Sequence, residues 1–159
     1  MLDRSSGTVT TLLEHLAGER IDAHARHREM ASVEAAKDLR VEVAEPLLHR
    51  AATLQGQRSG CAYVYAESVI ATGRLPATFR HRLETGTDPI GRILDEVGLA
   101  VTRESLIEPD EFVSQPRDVE ARVGDYLLGR TYRIASDDTP LMIVTEWFLP
   151  TLSRFLPPP

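Results

Sequence analysis

Apolar positions recur along the chain with two different periods, and the alternation between those periods lays out the elements. Val9, Leu12, Leu13 and Leu16 return at helical spacing, with Thr8 or Thr10 as cap and Gly18 as stop, which predicts a first helix. From Ile21 to Val33 apolar residues (Ile21, Ala23, Ala25) alternate loosely with polar ones, the pattern of a half-exposed strand. Pro46 opens an apolar run over Leu47–Leu54, the stretch Gln55–Gly60 turns the chain, and a second run covers Ala62–Ala71. The two runs read as a hairpin. Pro76 suits the first turn of a short helix through Leu83, and Asp88 and Pro89 suit the cap and first position of another. Leu99–Ile107 reads as a strand and Asp118–Val123 as at most a short helix. Leu127–Ala135 and Leu141–Leu149 read as strands joined by the turn Ser136–Pro140. Six strands in hairpin-like order imply an antiparallel sheet, so the fold class is α+β.

Composition narrows the picture. A chain of 159 residues with 42% apolar positions has enough core for one domain, expected over residues 1–155. The last four residues, Leu156 to Pro159, lack backbone donors at three prolines and are expected to form an unstructured tail. A net charge of −6 argues against nucleic acid or an anionic membrane as partner. No apolar run approaches the roughly 20 residues of a membrane span, and the first residues lack the basic-then-apolar pattern of a secretory signal. Cys61 is the single cysteine, which excludes an internal disulfide and thiolate metal chemistry and makes the cytoplasm the expected compartment.

The informative residues are charges set inside apolar strands. Glu146 is the one ionisable group in Leu141–Leu149; it shares a face with Met142, Val144 and Phe148, while Leu141, Ile143 and Trp147 occupy the other. Both faces are apolar, so the strand is expected to be buried on both sides. Arg50 shares a face with Leu48, Ala52 and Leu54, Arg130 with Leu128, Tyr132 and Ile134, and Glu67 with Tyr63, Tyr65 and Val69. An ion in such a place costs several kcal/mol unless it is paired. The four charges are therefore either buried ion pairs or the lining of a closed pocket. In the pocket reading, arginines hold a carboxylate bidentately, and a glutamate in apolar surroundings favours its protonated form and handles protons.

Other residue types point to less. His24 and His27, three apart in a strand, face opposite ways and make no metal pair; no metal site is expected. His49 points away from Arg50, and His15 lies on the polar side of the first helix. Ser68 and Cys61 have no base at a recognisable spacing, and the glycines form no phosphate loop.

At these same strands the sequence resembles the chorismate pyruvate-lyase (4-hydroxybenzoate synthase) family, in particular its compact actinobacterial and archaeal branch. The similar segments run in family order: Gly7–Glu14, Leu48-His49-Arg50, Tyr65–Ile70, Asp88–Leu94, Thr102-Arg103-Glu104, Arg130–Arg133 and Pro140–Pro150. The resemblance implies an open six-stranded antiparallel sheet with a ligand buried beneath helical flaps. It also implies cleavage of chorismate into a hydroxybenzoate and pyruvate, 4-hydroxybenzoate being the expected product, with no metal or organic cofactor. The product would supply secondary metabolites, glycolipids or quinones. On the resemblance, Arg50 binds the ring carboxylate, Glu146 contacts the ring hydroxyl, and Ile90 and Val9 contribute backbone amide contacts. Glu67 stands where enterobacterial members carry arginine, so the second carboxylate falls to Arg130 or Arg133. The stretch Glu108–Glu120 departs from the family pattern and leaves the lid undefined.

Loss of the enolpyruvyl group and one ring proton makes an aromatic ring, so the reaction runs downhill without a redox partner. The protein must orient a dianion, exclude water and help one proton move. Arg50 and Glu146 are the expected catalytic pair, with Ile90, Val9, Arg130, Glu67 and Arg133 as substrate contacts and a monomer or homodimer as the assembly. Two other readings use the same fold: an aromatic-carboxylate sensor domain, disfavoured by the lack of a preceding helix-turn-helix segment, and a lyase, dehydratase or cyclase recruited to another substrate.

Overall fold

Strand parity in the sequence translates directly into the sheet. The computed structural model describes residues 2–3, 9–30, 37–42, 45–107 and 129–155. In chain order it contains strand β1 (Leu2–Asp3), helix α1 (Val9–Ala17), β2 (Ile21–Met30), β3 (Leu47–Gly56), β4 (Ala62–Ala71), α2 (Ala77–Thr85), α3 (Ile90–Val97), β5 (Thr102–Ile107), β6 (Gly129–Ser136) and β7 (Thr139–Phe148). The strands form one open antiparallel sheet in the order β1-β5-β6-β7-β4-β3-β2. The six expected strands are all present. The two-residue β1, paired to β5 at the edge, adds a seventh that is too short to leave a periodic signal. The expected helix over Asp118–Val123, the lid Glu108–Glu120 and the proline tail lie outside the described residues.

Local chemistry sets the element ends. β6 and β7 turn through Asp137 and Asp138, whose φ of 49° and 63° make the two-residue turn that matches strand twist. Gly98, at φ 75°, closes α3 by donating its N–H to the Leu94 carbonyl at 3.1 Å. Three boundary expectations shift. Of the two cap candidates, Thr10 sits inside α1, buried, and Thr8 lies outside the described residues. Pro76 and Pro89 stand at the caps of α2 and α3, one residue before the first helical position. Asp88 makes no cap bond because its carboxylate is drawn to two arginines instead.

The helices cover one face of the sheet. Under α2 and α3, Phe79, Leu83, Ile93 and Leu94 pack on Ile70, Ile134 and Met142. Under α1, Leu13 packs on Ile21, Leu54 and Val64. Met142, Val144 and Glu146 face this covered side. The other side of β7 is only half closed, since Ile143 and Thr145 keep partial exposure, so the strand is not buried evenly on both sides. Among the described residues no helix is long and apolar enough to cross a membrane.

Arg92 fastens the cover to the sheet. It is buried at 8% exposure and donates to the Ile21 carbonyl (2.6 Å), Glu14 Oε2 (3.1 Å) and Asp88 Oδ1 (3.3 Å). Glu14 also accepts from the Ile21 amide at 3.1 Å, so α1, β2 and α3 meet at one guanidinium. Removing one member of a buried ionic network typically costs 3–5 kcal/mol. Arg92→Met is expected to lower unfolding stability in urea by about 3 kcal/mol. Partial burial pushes the Asp88 carboxyl up, but hydrogen bonds and charge from Arg82 and Arg92 outweigh it and hold the group below 3.8. Its contribution is therefore complete above pH 3.8 and lost as pH falls through the lowered folded value. Asp88→Asn is expected to flatten that acid limb of a stability–pH curve.

Candidate active site

Two rows of side chains pave the covered face of the sheet. Register aligns Ala52, Ala66, Glu146 and Arg130 across β3, β4, β7 and β6, and likewise Arg50, Ser68, Val144 and Tyr132. Arg50 and Glu146 are two strands and two residues apart, which by sheet spacing separates their Cα atoms by roughly 12 Å. Between them the floor carries Ala52, Ala66 and Ser68. These small residues leave a trough, and the first turns of α1 and α3 roof it.

Arg50 is 3% exposed. Its Nη2 donates to the Asp88 carbonyl at 3.1 Å, and its buried Nε has no hydrogen-bond partner. Among the described residues no carboxylate pairs with it. Burial depresses the guanidinium to about 10, opposed by the charge of Asp88, so at neutral pH it remains a buried cation. Pro89, Ile90 and Gly91 border the same end of the trough. The Ile90 and Gly91 amides lie in the first turn of α3, where helix N–H groups lack intrahelical acceptors and favour an anion. Cation and helix start together make a place chemically suited to a carboxylate.

Glu146, 2% exposed, lies at the other end. Arg130 Nε donates to its Oε2 at 3.2 Å, and the Tyr132 hydroxyl donates to its Oε1. Arg130 also stands over the Tyr132 ring, 5.0 Å from its centroid. Burial, then the Glu146 charge, raises the Tyr132 phenol well above its ordinary value and keeps it a donor. The carboxylate is thus fixed by a guanidinium and a phenol; the wholly apolar surroundings implied by strand parity along β7 alone are corrected by its neighbour strand β6.

The fold gathers Arg50, Glu146, Ile90, Val9 and Arg130 around one cavity. It does not bring Glu67 or Arg133 there. Both point to the opposite face, because they pair with Thr145 and Ile143 and are out of phase with Glu146. Glu67 accepts from Tyr65 at 3.2 Å and lies 4.0 Å from His49, and Arg133 pairs with Glu104. Neither can touch a ligand in the trough without refolding its strand. His24 and His27 are exposed on β2. Partial desolvation of its ring beside the sheet, then the Arg50 charge, lowers the His27 imidazole although the residue as a whole is exposed.

Sequence reasoning missed the cavity roles of Tyr132, Ser68 and Arg103. Tyr132 shares a face with Arg130, so alternation along β6 carried its signal; Ser68 faces away from Glu67 and joins Arg50 only through the pairing of β3 with β4. Arg103 shows its side only once β5 is registered against Ile134.

Comparisons with known proteins bear on the family and the fold. The family model described as "Chorismate pyruvate-lyase Rv2949c-like" matches residues 4–156. A protein of Mycobacterium leprae named chorismate pyruvate-lyase is 30% identical over 99% of this chain and 76% of its own length. One of Mycobacterium tuberculosis with the same name is 33% identical over 70% of this chain, and the match spans 57% of that relative. Among solved structures, the C-terminal domain of a histidine utilization repressor from Pseudomonas syringae pv. tomato superposes with a TM-score of 0.63 at 13% identity. That match covers 83% of this chain and 93% of the other. The effector domain of PhnF from Mycobacterium smegmatis gives 0.60 at 16% identity, covering 92% and 91%. These two share the fold. The match of nearly the whole sequence to the family model goes further, and the chain belongs to the Rv2949c-like chorismate pyruvate-lyase family.

Proposed function

We propose that the protein is a lyase that cleaves chorismate to pyruvate and 4-hydroxybenzoate, with the trough as its active site. The observation that carries this reading is the buried Arg50 cation. No described carboxylate pairs with it; it faces a helix start and lies across a floor of small residues from a fixed glutamate. That arrangement suits a planar ring with a carboxylate at one end and a hydroxyl near the other.

In this reading the ring carboxylate takes the Arg50 guanidinium bidentately and the Ile90 amide. Val9, at the start of α1, closes the roof. Glu146 accepts from the ring hydroxyl and so fixes the carbon that bears it. The ether bond to the enolpyruvyl group breaks and its electron pair leaves on the oxygen. The hydrogen on the hydroxyl-bearing carbon departs as a proton, and its bonding pair completes the aromatic ring. The released enolpyruvate gains a proton at its methylene carbon and becomes pyruvate. Atoms and electrons balance without oxidant or reductant. Retention of the hydroxyl, held by Glu146, favours the 4-isomer over the 3-isomer. Arg130 and Tyr132 hold the glutamate, and Tyr132 stays a donor because its phenol is raised. Preorganised charge of this kind is usually the largest catalytic term.

Purified protein and chorismate alone are expected to yield pyruvate and 4-hydroxybenzoate in equal amounts, followed by coupled absorbance and chromatography. Pyruvate without a hydroxybenzoate would signal another elimination. Glu146→Gln is expected to fold normally and lose about 10²-fold in kcat, a typical magnitude for one positioned charged group.

Arg50 makes a second, opposed prediction. Its folded value, pushed down to about 10 by burial, disfavours the folded state by about 3 kcal/mol at neutral pH. The penalty is complete below pH 10 and fades as pH rises from there towards the ordinary guanidinium value, because only the unfolded chain then keeps the proton. Arg50→Met is therefore expected to abolish turnover and hydroxybenzoate binding while raising urea stability by about 1–3 kcal/mol at pH 7. A variant that loses both activity and stability would argue for a purely structural arginine.

A further inference from the structure

Among the described residues, three arginines line the trough, Arg50, Arg130 and Arg103, against one carboxylate, Glu146. Two of the three are accounted for. Arg50 sits at the start of α3, and Arg130 donates Nε to Glu146 while covering the Tyr132 ring. Arg103 is different. It projects from β5 between Ile134 of β6 and Asp3 of β1 in the sheet, lines the cavity beside Tyr132, is half-buried, and forms no ion pair with any carboxylate whose side chain is described. It lies close enough to Tyr132 for its charge to bear on the phenol. Arg133, one candidate for a second anion, is spent on Glu104 and faces away.

Position completes the argument. β3 and β5 are separated by four strand spacings in the sheet order, so Arg50 and Arg103 stand roughly 19 Å apart at the backbone. Both carry long side chains that can extend toward the trough, with the Glu146 cluster between them. The remaining span suits a ligand with an anion at each end and a hydroxyl in the middle. Among the described residues, the cavity lining carries two more positive charges than negative ones.

We propose that Arg103 forms a second anion subsite of the cavity, taking an ether-linked carboxylate on the ring carbon next to the one whose hydroxyl meets Glu146. Resting on the lyase reading, this is the carboxylate of the enolpyruvyl group. The contact exists with substrate and disappears on cleavage, since the aromatic product keeps only the carboxylate at Arg50. Arg103 thereby discriminates the dianionic substrate from its monoanionic product and lets pyruvate and hydroxybenzoate part.

The test compares two stable acids by calorimetry: 4-hydroxybenzoate and its 3-carboxymethoxy derivative, which adds the second carboxylate through an ether. The native protein is expected to bind the diacid about 10- to 100-fold more tightly. Arg103→Gln is expected to erase that preference while leaving the monoacid Kd within about twofold, and Arg103→Lys to retain part of it. In turnover, Arg103→Gln is expected to raise KM for chorismate at least tenfold with inhibition by 4-hydroxybenzoate unchanged. An intact diacid preference in Arg103→Gln, equal weakening of both acids, or equal binding of both acids by the native protein would overturn the subsite. A native protein inert toward chorismate that still shows the Arg103-dependent preference would remove the lyase reading and support the subsite.

Discussion

The structure turns on a buried arginine that no described carboxylate partners. Arg50 is held by one backbone carbonyl, that of Asp88, and the segment offering it also starts the helix whose free amides border the trough. An ion in such a place is tolerated only if the surroundings cannot collapse onto it or let water flood it. The Asp88 segment is accordingly pinned from outside by Arg82 at 2.9 Å and Arg92 at 3.3 Å, and Arg92 in turn grips α1 and β2. Stability invested in the outer network keeps an unfavourable charge in position at the inner one. Activity and stability separate across that boundary: residues outside it strengthen the fold, and Arg50 weakens it.

The far end of the trough follows the opposite logic. Glu146 is as buried as Arg50 but fully engaged, with a guanidinium on one oxygen and a phenol on the other. Fixing both oxygens limits the rotation of the carboxylate and leaves its remaining lone pairs for a ligand hydroxyl. In the proposed reading an anion is drawn to the Arg50 end and a hydroxyl to the Glu146 end, so a ring carrying both would bind in one orientation. Small residues make this possible. Larger side chains at Ala52, Ala66 or Ser68 would fill the floor between the two ends, and the sheet would pack as an ordinary core.

Much of this was legible in the chain because strand parity is a strict rule. Arg50, Glu146 and Arg130 stand at positions where an alternating strand puts its core residues, and the structure places all three on one face. Parity within a strand does not, however, say which face two strands share. Glu67 fails for that reason: within β4 it keeps company with Tyr63, Tyr65 and Val69, all apolar enough to suggest the core, yet the pairing of Ala66 with Glu146 puts it on the far side. Arg133 is off by one position from the useful face, the smallest possible error in a strand. Arg103 required the pairing of β5 with β6, a long-range fact with no local signature. Caps erred more simply, since Asp88 had two arginines competing with the helix for its carboxylate.

Fold and site are separable on the same grounds. The register, the hairpin turns and the helical cover depend on apolar parity, which many sequences satisfy, and regulatory domains only 13–16% identical reach the same sheet. The site depends on a handful of residues that violate that parity. Such residues are selected against by folding alone, because each places charge or open space where burial favours hydrocarbon. A chain relieved of a ligand would gain stability by replacing them, so their joint presence on one face supports the proposed anion site, which the sheet alone does not require.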